Sequence, residues 1–472
     1  MSNQNLLEKL RGGECLTLRQ QALLTIQLSI PAIMAQVSSI VMQYIDASMV
    51  GRLGANDSAS IGLVSSSTWL MGGLCSAAGI GFTVQVAQRI GARDDARARN
   101  IVKQGLLSVL AFSCLLMAAG TAVSGVLPVW LGGEAEICAN ASNYFFVYAL
   151  FLPVLQLNHT AGGMIQCSGN MKLPSILHIA MCFLDVILNL LLIFPTRSVT
   201  VWGMTFTMAG AGLGVLGAAL GTAFSELIIV CFMLYYLLFV SPALRLRKGE
   251  KLRFRAEELK RAVKIALPVG FEQVVMCGAQ IMSTKIVAPL GTIAIAANSF
   301  SVTAESLCYM PGYGIGTAAT TLIGQSIGAG RKDLTKRLGW LTTGLGMLVM
   351  TGSGILLFVF APFMIGLLSP EPAIRELGTA VLRIEAFAEP MYAASIVASG
   401  VFRGAGDTFV PSCMNLFSMW CVRIPLAALL APRFGLHGVW IAMCIELCVR
   451  GVLFLLRLAG KKWQRGMTDT EK

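Results

Sequence analysis

Between Ala22 and Gly51 the sequence carries a single charged residue, Asp46, and apolar runs of this kind recur down the whole chain. About 20 apolar residues in a helix cross the hydrocarbon core of a bilayer. Runs bounded by turn residues or charges fall near 22–51, 58–87, 101–126, 138–166, 173–195, 209–240, 259–289, 294–325, 337–362, 374–402, 411–431 and 436–459, about twelve in all. Charged residues make up 13% of the 472 positions, against about 25% in a soluble domain. No soluble core hides that much apolar surface, so an all-α, multi-pass membrane protein is expected. Met1 to Gln21 is polar and lacks the apolar core of a signal peptide, so no cleavage is expected.

The net charge of +12 does not point to nucleic acid, because the basic residues are segregated. They gather at Lys9–Arg19, Arg89–Lys103, Arg245–Lys264, Arg331–Arg337 and Lys461–Arg465. The alternate loops hold only Arg52, Arg197, Arg375 and Arg433. That alternation predicts cytoplasmic N- and C-termini in a cell inner membrane. The 13 cysteines form no CxxC pair and most sit inside apolar runs, where Cys packs as a small hydrophobe, so neither redox nor metal chemistry is expected of them. HExxH, a Ser-His catalytic arrangement and GxxxxGK[ST] are all missing. The expectation is a protein that is not an enzyme, has no cofactor and does not use ATP.

The chain also repeats itself. Pro31 recurs as Pro268, an offset of 237 (268 − 31), and the same offset takes Gln36 to Gln273, Gln88 to Gln325, Gly91 to Gly328, Pro153 to Pro390 and Gly169 to Gly406. After the fifth span the register changes, because the first half has a longer loop around Pro195–Gly212. Six spans return the chain to its starting side. Two six-helix bundles of like orientation are therefore expected, related by a pseudo-two-fold axis along the membrane normal. The division predicted is 1–240, a linker over 241–258, and 259–472. The linker pattern Leu244, Leu246, Leu252, Phe254, Leu259 reads either as a segment lying on the membrane or as a solvated connection. Pro153 and Pro390, like Pro31 and Pro268, predict bends shared by the halves.

Intramembrane carboxylates are expensive and usually face a cavity or a partner. Asp46 is thus a candidate ion-coupling group. Glu272, Glu305, Glu385 and Glu389 are candidates for substrate or cation binding, with Glu385 and Glu389 spaced to share a helix face. Glu446 is a further embedded acid. Lys285 and Arg423 are the intramembrane cations that would make static pairs instead. His159 and His178 read as hydrogen-bonded packing residues rather than proton relays. Asp407 reads as a capping or ion-pairing residue beside Arg403. Trp69, Phe145, Phe146, Tyr148, Tyr309, Phe387 and Tyr392, with Met42, Met71 and Met310, are candidates to line a cleft for flat cations.

Asp46 with Val50-Gly51-x-Leu53-Gly54, then Gln88-x-Ile90-Gly91-Ala92, the stretch from Ile315 to Gly330, and Arg403-Gly404-Ala405-Gly406-Asp407-Thr408 together resemble the multidrug and toxic compound extrusion (MATE) family. The resemblance runs from about Leu24 to Leu458. It implies a secondary antiporter, most simply a monomer in contact with membrane lipids, that exports amphiphilic and often cationic compounds in exchange for H⁺ or Na⁺. A lipid-linked precursor flippase of the same broader superfamily is the alternative, disfavoured by acidic rather than basic cavity candidates. The resemblance also places Asp185, Asn189 and Thr222 with Asp46 as the ion site, whether for a proton or for Na⁺. In one respect the chain departs: where such members carry Asn-x-x-x-Asp on the fifth helix, it has Asp185-Val186-Ile187-Leu188-Asn189.

Overall fold

Residues 3–201, 204–247, 249–250, 253–460 and 462–464 are described by the structure, a computed structural model. A short helix, α1 (Asn3–Arg11), precedes the first span. Thr17 then caps α2 (Leu18–Gly51) in a reciprocal box: its hydroxyl accepts from the Gln20 N–H at 3.3 Å, and Gln20 Oε1 accepts from the Thr17 N–H at 3.0 Å. Two of the helix's unpaired N-terminal donors are satisfied this way. α3 (Ala55–Gly91), α4 (Asp95–Val123), a single turn α5 (Leu127–Trp130), α6 (Ala135–Leu150), α7 (Leu152–Cys167) and α8 (Lys172–Leu192) follow. A β-hairpin of β1 (Pro195–Val201) and β2 (Met204–Ala211) fills the long loop, and α9 (Gly214–Tyr235), with a π-helical extension over Tyr236–Val240, completes the first half. The sixth crossing therefore starts at Gly214; of the residues before it that were read as part of the span, 209–211 are strand and Gly212 and Leu213 connect to the helix.

The second half repeats the plan with α10 (Ala256–Val287), α11 (Thr292–Gly328), α12 (Lys332–Leu368), α13 (Pro372–Glu385), α14 (Glu389–Ala405), α15 (Phe409–Phe417), a π segment (Ser418–Arg423), α16 (Ile424–Phe434) and α17 (Leu436–Ala459). The fourth and tenth crossings are broken, each just before a proline: α6 and α7 meet at a 46° bend ahead of Pro153, and the chain turns over Ala386–Ala388 ahead of Pro390. Pro31 and Pro268 lie inside the unbroken helices α2 and α10. Among the described residues nine helices are long and apolar enough to cross a membrane, or ten when α6 and α7 count as one span. The two remaining expected crossings, α11 and the α13–α14 pair, are richer in small and polar residues. α11 and α14 form the centre of the largest buried cluster, so they face protein rather than lipid.

α2 packs on α8 and, across the halves, on α11; α10 packs on α3. α3 and α11 cross at the end that carries the basic turns. A Cβ on Gly91 would lie 2.1 Å from the Gln325 carbonyl oxygen, and a Cβ on Gly328 would lie 1.9 Å from that of Gln88. These four residues are repeat mates, so the reciprocal contact places the pseudo-two-fold axis between α3 and α11. Around it Gln88 Nε2 donates to the Gly404 carbonyl at 3.1 Å, and its mate Gln325 Nε2 donates to that of Cys167 at 2.7 Å. Arg261 donates to Gln88 Oε1 at 2.6 Å and Arg11 to Gln325 Oε1 at 3.2 Å. The turn after each crossing has a left-handed residue at matching positions, Arg93 with φ 60° and Gly330 with φ 70°.

Two further segments, the N-terminal helix and the linker, are anchored at this end. Leu6, Leu7 and Leu10 of α1 are buried in one cluster with Met171 from the first half and Leu322, Phe402 and Leu458 from the second. The linker is clasped to the start of α4. Arg99 holds Glu250 at 2.6 Å, Asn100 Nδ2 donates to the Arg253 carbonyl at 2.8 Å, and Gln104 Nε2 donates to that of Arg255 at 2.9 Å. Leu244 is fully buried while Leu246 and Phe254 are exposed; Leu252 lies outside the described residues. The Arg99 guanidinium holds the Glu250 carboxyl below its ordinary range. That ion pair is therefore present at neutral pH and is lost only as pH falls through the lowered value.

The backbone-on-backbone crossing leaves no room for a methyl group. Gly91→Ala and Gly328→Ala are expected to destabilise this closed arrangement by about 1–3 kcal/mol through overpacking. Thermal unfolding in detergent measures the loss. Alkylation of a cysteine placed at Gln88 is expected to speed up as the crossing parts.

Candidate functional site

In the first half, glycines let two helices approach closely enough to build a polar cluster. A Cβ on Gly217 would meet the Leu192 carbonyl oxygen at 2.5 Å, and one on Gly221 would meet Asn189 Oδ1 at 2.1 Å, so α9 lies directly on α8. α2 also packs on α8. Asn189, fully buried, donates one amide hydrogen bond to Asp46 Oδ1 at 2.8 Å and one to Asp185 Oδ2 at 3.0 Å. Ser225 reaches Asp185 Oδ1 at 3.4 Å. Thr222 stands beside Asp185, its hydroxyl donating to the Ala218 carbonyl at 3.3 Å. The four residues expected to form the ion site are thus in one place, with Asn189 as the bridge between two carboxylates. The reversed Asp-x-x-x-Asn order still works because positions four apart share a helix face.

The second half gathers a different set. Glu305, Glu385, Glu389 and Glu446 are all buried, together with Arg450, and Arg423 is half-buried beside them. Glu446 is matched: Arg450 grips both its oxygens at 2.8 and 2.9 Å and lies over the Tyr392 ring at 5.6 Å. Among the described residues, all four carboxylate oxygens of Glu385 and Glu389 lack a hydrogen-bond partner, as does Nε of Arg423, whose Nη2 contacts Met443 Sδ at 2.6 Å. The sequence reading of Glu385 and Glu389 as one helix face needs correction. The break over Ala386–Ala388 separates them onto α13 and α14. Tyr309 makes edge contacts with Tyr392 at 5.6 Å and with Tyr313 at 5.9 Å, forming an aromatic wall beside the acids.

Glu272 does not join this group. Its oxygens accept from Ser412 Oγ at 2.6 Å and Asn415 Nδ2 at 2.7 Å, which ties α10 to α15. Among the described residues neither Lys285 nor Arg423 forms an ion pair. Asp407 pairs with Arg457 of α17 rather than with Arg403. Phe145 and Met42 are buried packing residues, and Trp69, Phe146 and Phe387 are exposed. No group of three or more His, Cys, Asp or Glu side chains among the described residues is placed to hold a metal ion.

The MatE family model matches residues 31–191 and 268–429, one stretch in each half. The chain belongs to the MatE family of transporters. The probable multidrug resistance protein NorM of Thermotoga maritima is 26% identical over 446 residues, covering 93% of this chain and 92% of its own. Multidrug resistance protein PmpM of Pseudomonas aeruginosa is 25% identical, covering 92% and 90%. A MATE protein solved in complex with MaL6 superposes with a TM-score of 0.87 at 19% identity, covering 98% of this chain and 99% of that one.

Within this MATE scaffold one acid was missed at the sequence level. Glu226, one turn past Thr222 on α9, lies within Coulombic reach of Asp185, Tyr144 and Tyr148. The signal was available, since Glu226 is the only charge between Gly210 and Val240, and an acid in a span calls for a partner.

The two kinds of buried glutamate are expected to respond oppositely to neutralisation. Glu446→Gln strands the Arg450 charge and is expected to destabilise the protein by about 3–5 kcal/mol. Glu389→Gln removes an unpartnered acid and is expected to leave stability unchanged or raised. Melting temperatures of the two purified variants check the contrast.

Proposed function

We propose that this MATE protein exports amphiphilic, often cationic compounds in exchange for a cation moving inward, by alternating access between its two lobes. The Asp46–Asn189–Asp185 bridge carries this reading. Two carboxylates held to one amide in a low-dielectric interior repel each other unless a cation or a proton joins them. Loading and unloading that site changes the charge of the lobe, and a ligand shifts a conformational equilibrium only through such a difference between states. The names of the NorM and PmpM relatives support drug export.

The donor set favours H⁺ over Na⁺. Na⁺ takes hard oxygen ligands, whereas Asn189 turns its NH₂ toward both acids and leaves Oδ1 against Gly221, without a partner among the described residues. In the second lobe, Glu305, Glu385 and Glu389 beside Tyr309 and Tyr392 supply negative charge and ring faces for an organic cation. Glu272 supports α10 and α15 instead. Both lobes belong to one chain, so a monomer suffices. The basic turns share one end with α1 and the linker, which supports cytoplasmic termini in the inner membrane and a division into lobes on either side of the 241–258 connection.

Asp46→Asn is expected to abolish export driven by an imposed pH gradient in proteoliposomes while substrate binding persists. Wild-type export rates in that variant, under either a pH or a Na⁺ gradient, reject the first-lobe coupling site. Glu305→Gln and Glu389→Gln are expected to weaken export of a permanent cation more than that of an uncharged compound of similar shape. Equal losses for both compounds identify a purely structural role.

A further inference from the structure

A groove of about 280 Å³ opens between the outer part of α2 and the end of α8, on the far side of the protein from α1 and the linker. Ile45, Met49, Leu190 and Phe194 give it an apolar wall, Tyr44 and Ser48 line it further, and Arg52 and Arg197 stand at its mouth. The loops at that end hold four basic residues, Arg52, Arg197, Arg375 and Arg433, and two of the four converge here. Neither Arg52 nor Arg197 forms an ion pair with a described residue. Arg197 lies 4.2 Å over the Phe194 ring, which orients its guanidinium plane.

We infer that this groove binds one anionic phospholipid, with the phosphate between Arg52 and Arg197 and an acyl chain along Ile45, Met49, Leu190 and Phe194. The dimensions agree. Arg52 is eight residues beyond Tyr44, or about 12 Å along a helix at 1.5 Å per residue. One leaflet of hydrocarbon is about 15 Å deep. Arginines at headgroup level therefore leave the groove running down through most of that leaflet. Guanidinium groups bind phosphate oxygens with paired hydrogen bonds. A choline headgroup brings its own cation, which two arginines repel, so the preference is for a lipid with net negative charge.

The position gives such a lipid a handle on transport. Tyr44 and Ile45 immediately precede Asp46, and the Tyr44 hydroxyl donates to the Thr303 carbonyl of the other half. A chain seated against these residues braces the segment of α2 that carries the coupling acid. The inference does not depend on the exporter reading, because lipid binding is measured without transport.

Native mass spectrometry of the full chain in detergent, titrated with phosphatidylglycerol or phosphatidylcholine, tests it. Wild type is expected to bind one more phosphatidylglycerol than the Arg52→Gln/Arg197→Gln variant, with lipids held by the basic end common to both. The preference at this site is expected to be about tenfold over phosphatidylcholine. Leu190→Trp, which fills the groove and keeps both arginines, is expected to lose the same lipid. Both arginines are at the surface, so the double variant tests the site without disturbing the core. Equal phosphatidylglycerol counts in wild type and the double variant overturn the proposal. Displacement of the lipid by glycerol phosphate, which has no chains, also overturns it, by showing a site for free phosphate.

Discussion

The two halves are held by a contact between backbones. Where α3 crosses α11, Gly91 lies on the Gln325 carbonyl and Gly328 on that of Gln88. Lipid tails offer helices no hydrophobic reason to associate, so close packing and hydrogen bonds across the crossing must supply it. The rest of the closed end depends on that approach. Only with the backbones this near do the Gln88 and Gln325 amides reach carbonyls in the opposite half, and only then do Arg261 and Arg11 reach the glutamines. α1 and the linker add a second layer over the same junction. Any opening of this end has to part this layer and the crossing beneath it.

The halves share a fold and differ in chemistry. At the repeat offset Asp46 corresponds to Ser283, Asp185 to Val422, Glu385 to Tyr148 and Glu389 to Leu152. None of these four acids has an acidic mate. One lobe carries two carboxylates bridged by an amide, with Glu226 nearby. The other carries four glutamates against two arginines, of which Arg450 forms an ion pair and Arg423 forms none among the described residues. Duplicated packing with unduplicated charge allows each lobe a separate task. Unpartnered buried carboxylates are costly, and their presence at Glu385 and Glu389 is hard to account for by stability.

Much of this was legible in the sequence because it rests on local or periodic patterns. Apolar run length gave the crossings, and a constant offset gave two halves of like orientation. Prolines marked the breaks ahead of Pro153 and Pro390. Asp46, Asp185, Asn189 and Thr222 were placed together by their resemblance to MATE members, and helix periodicity made the reversed order workable. The errors have physical causes. Glu385 and Glu389 were read on one face because spacing assumes an unbroken helix, and the chain turns between them. Glu272 was a candidate for substrate or cation binding, and its hydrogen-bond partners, Ser412 and Asn415, are distant in sequence.

Composition and periodicity alone determined a membrane protein with about twelve crossings in two repeats, since a bilayer admits only backbones that bond internally. Only the tertiary structure decided which polar groups have partners. Arg450 takes Glu446 and leaves Glu389 bare, Arg457 rather than Arg403 takes Asp407, and the linker lies on α4. A hydrogen bond or ion pair acts over about 3 Å, and no sequence separation reports whether two side chains come that close.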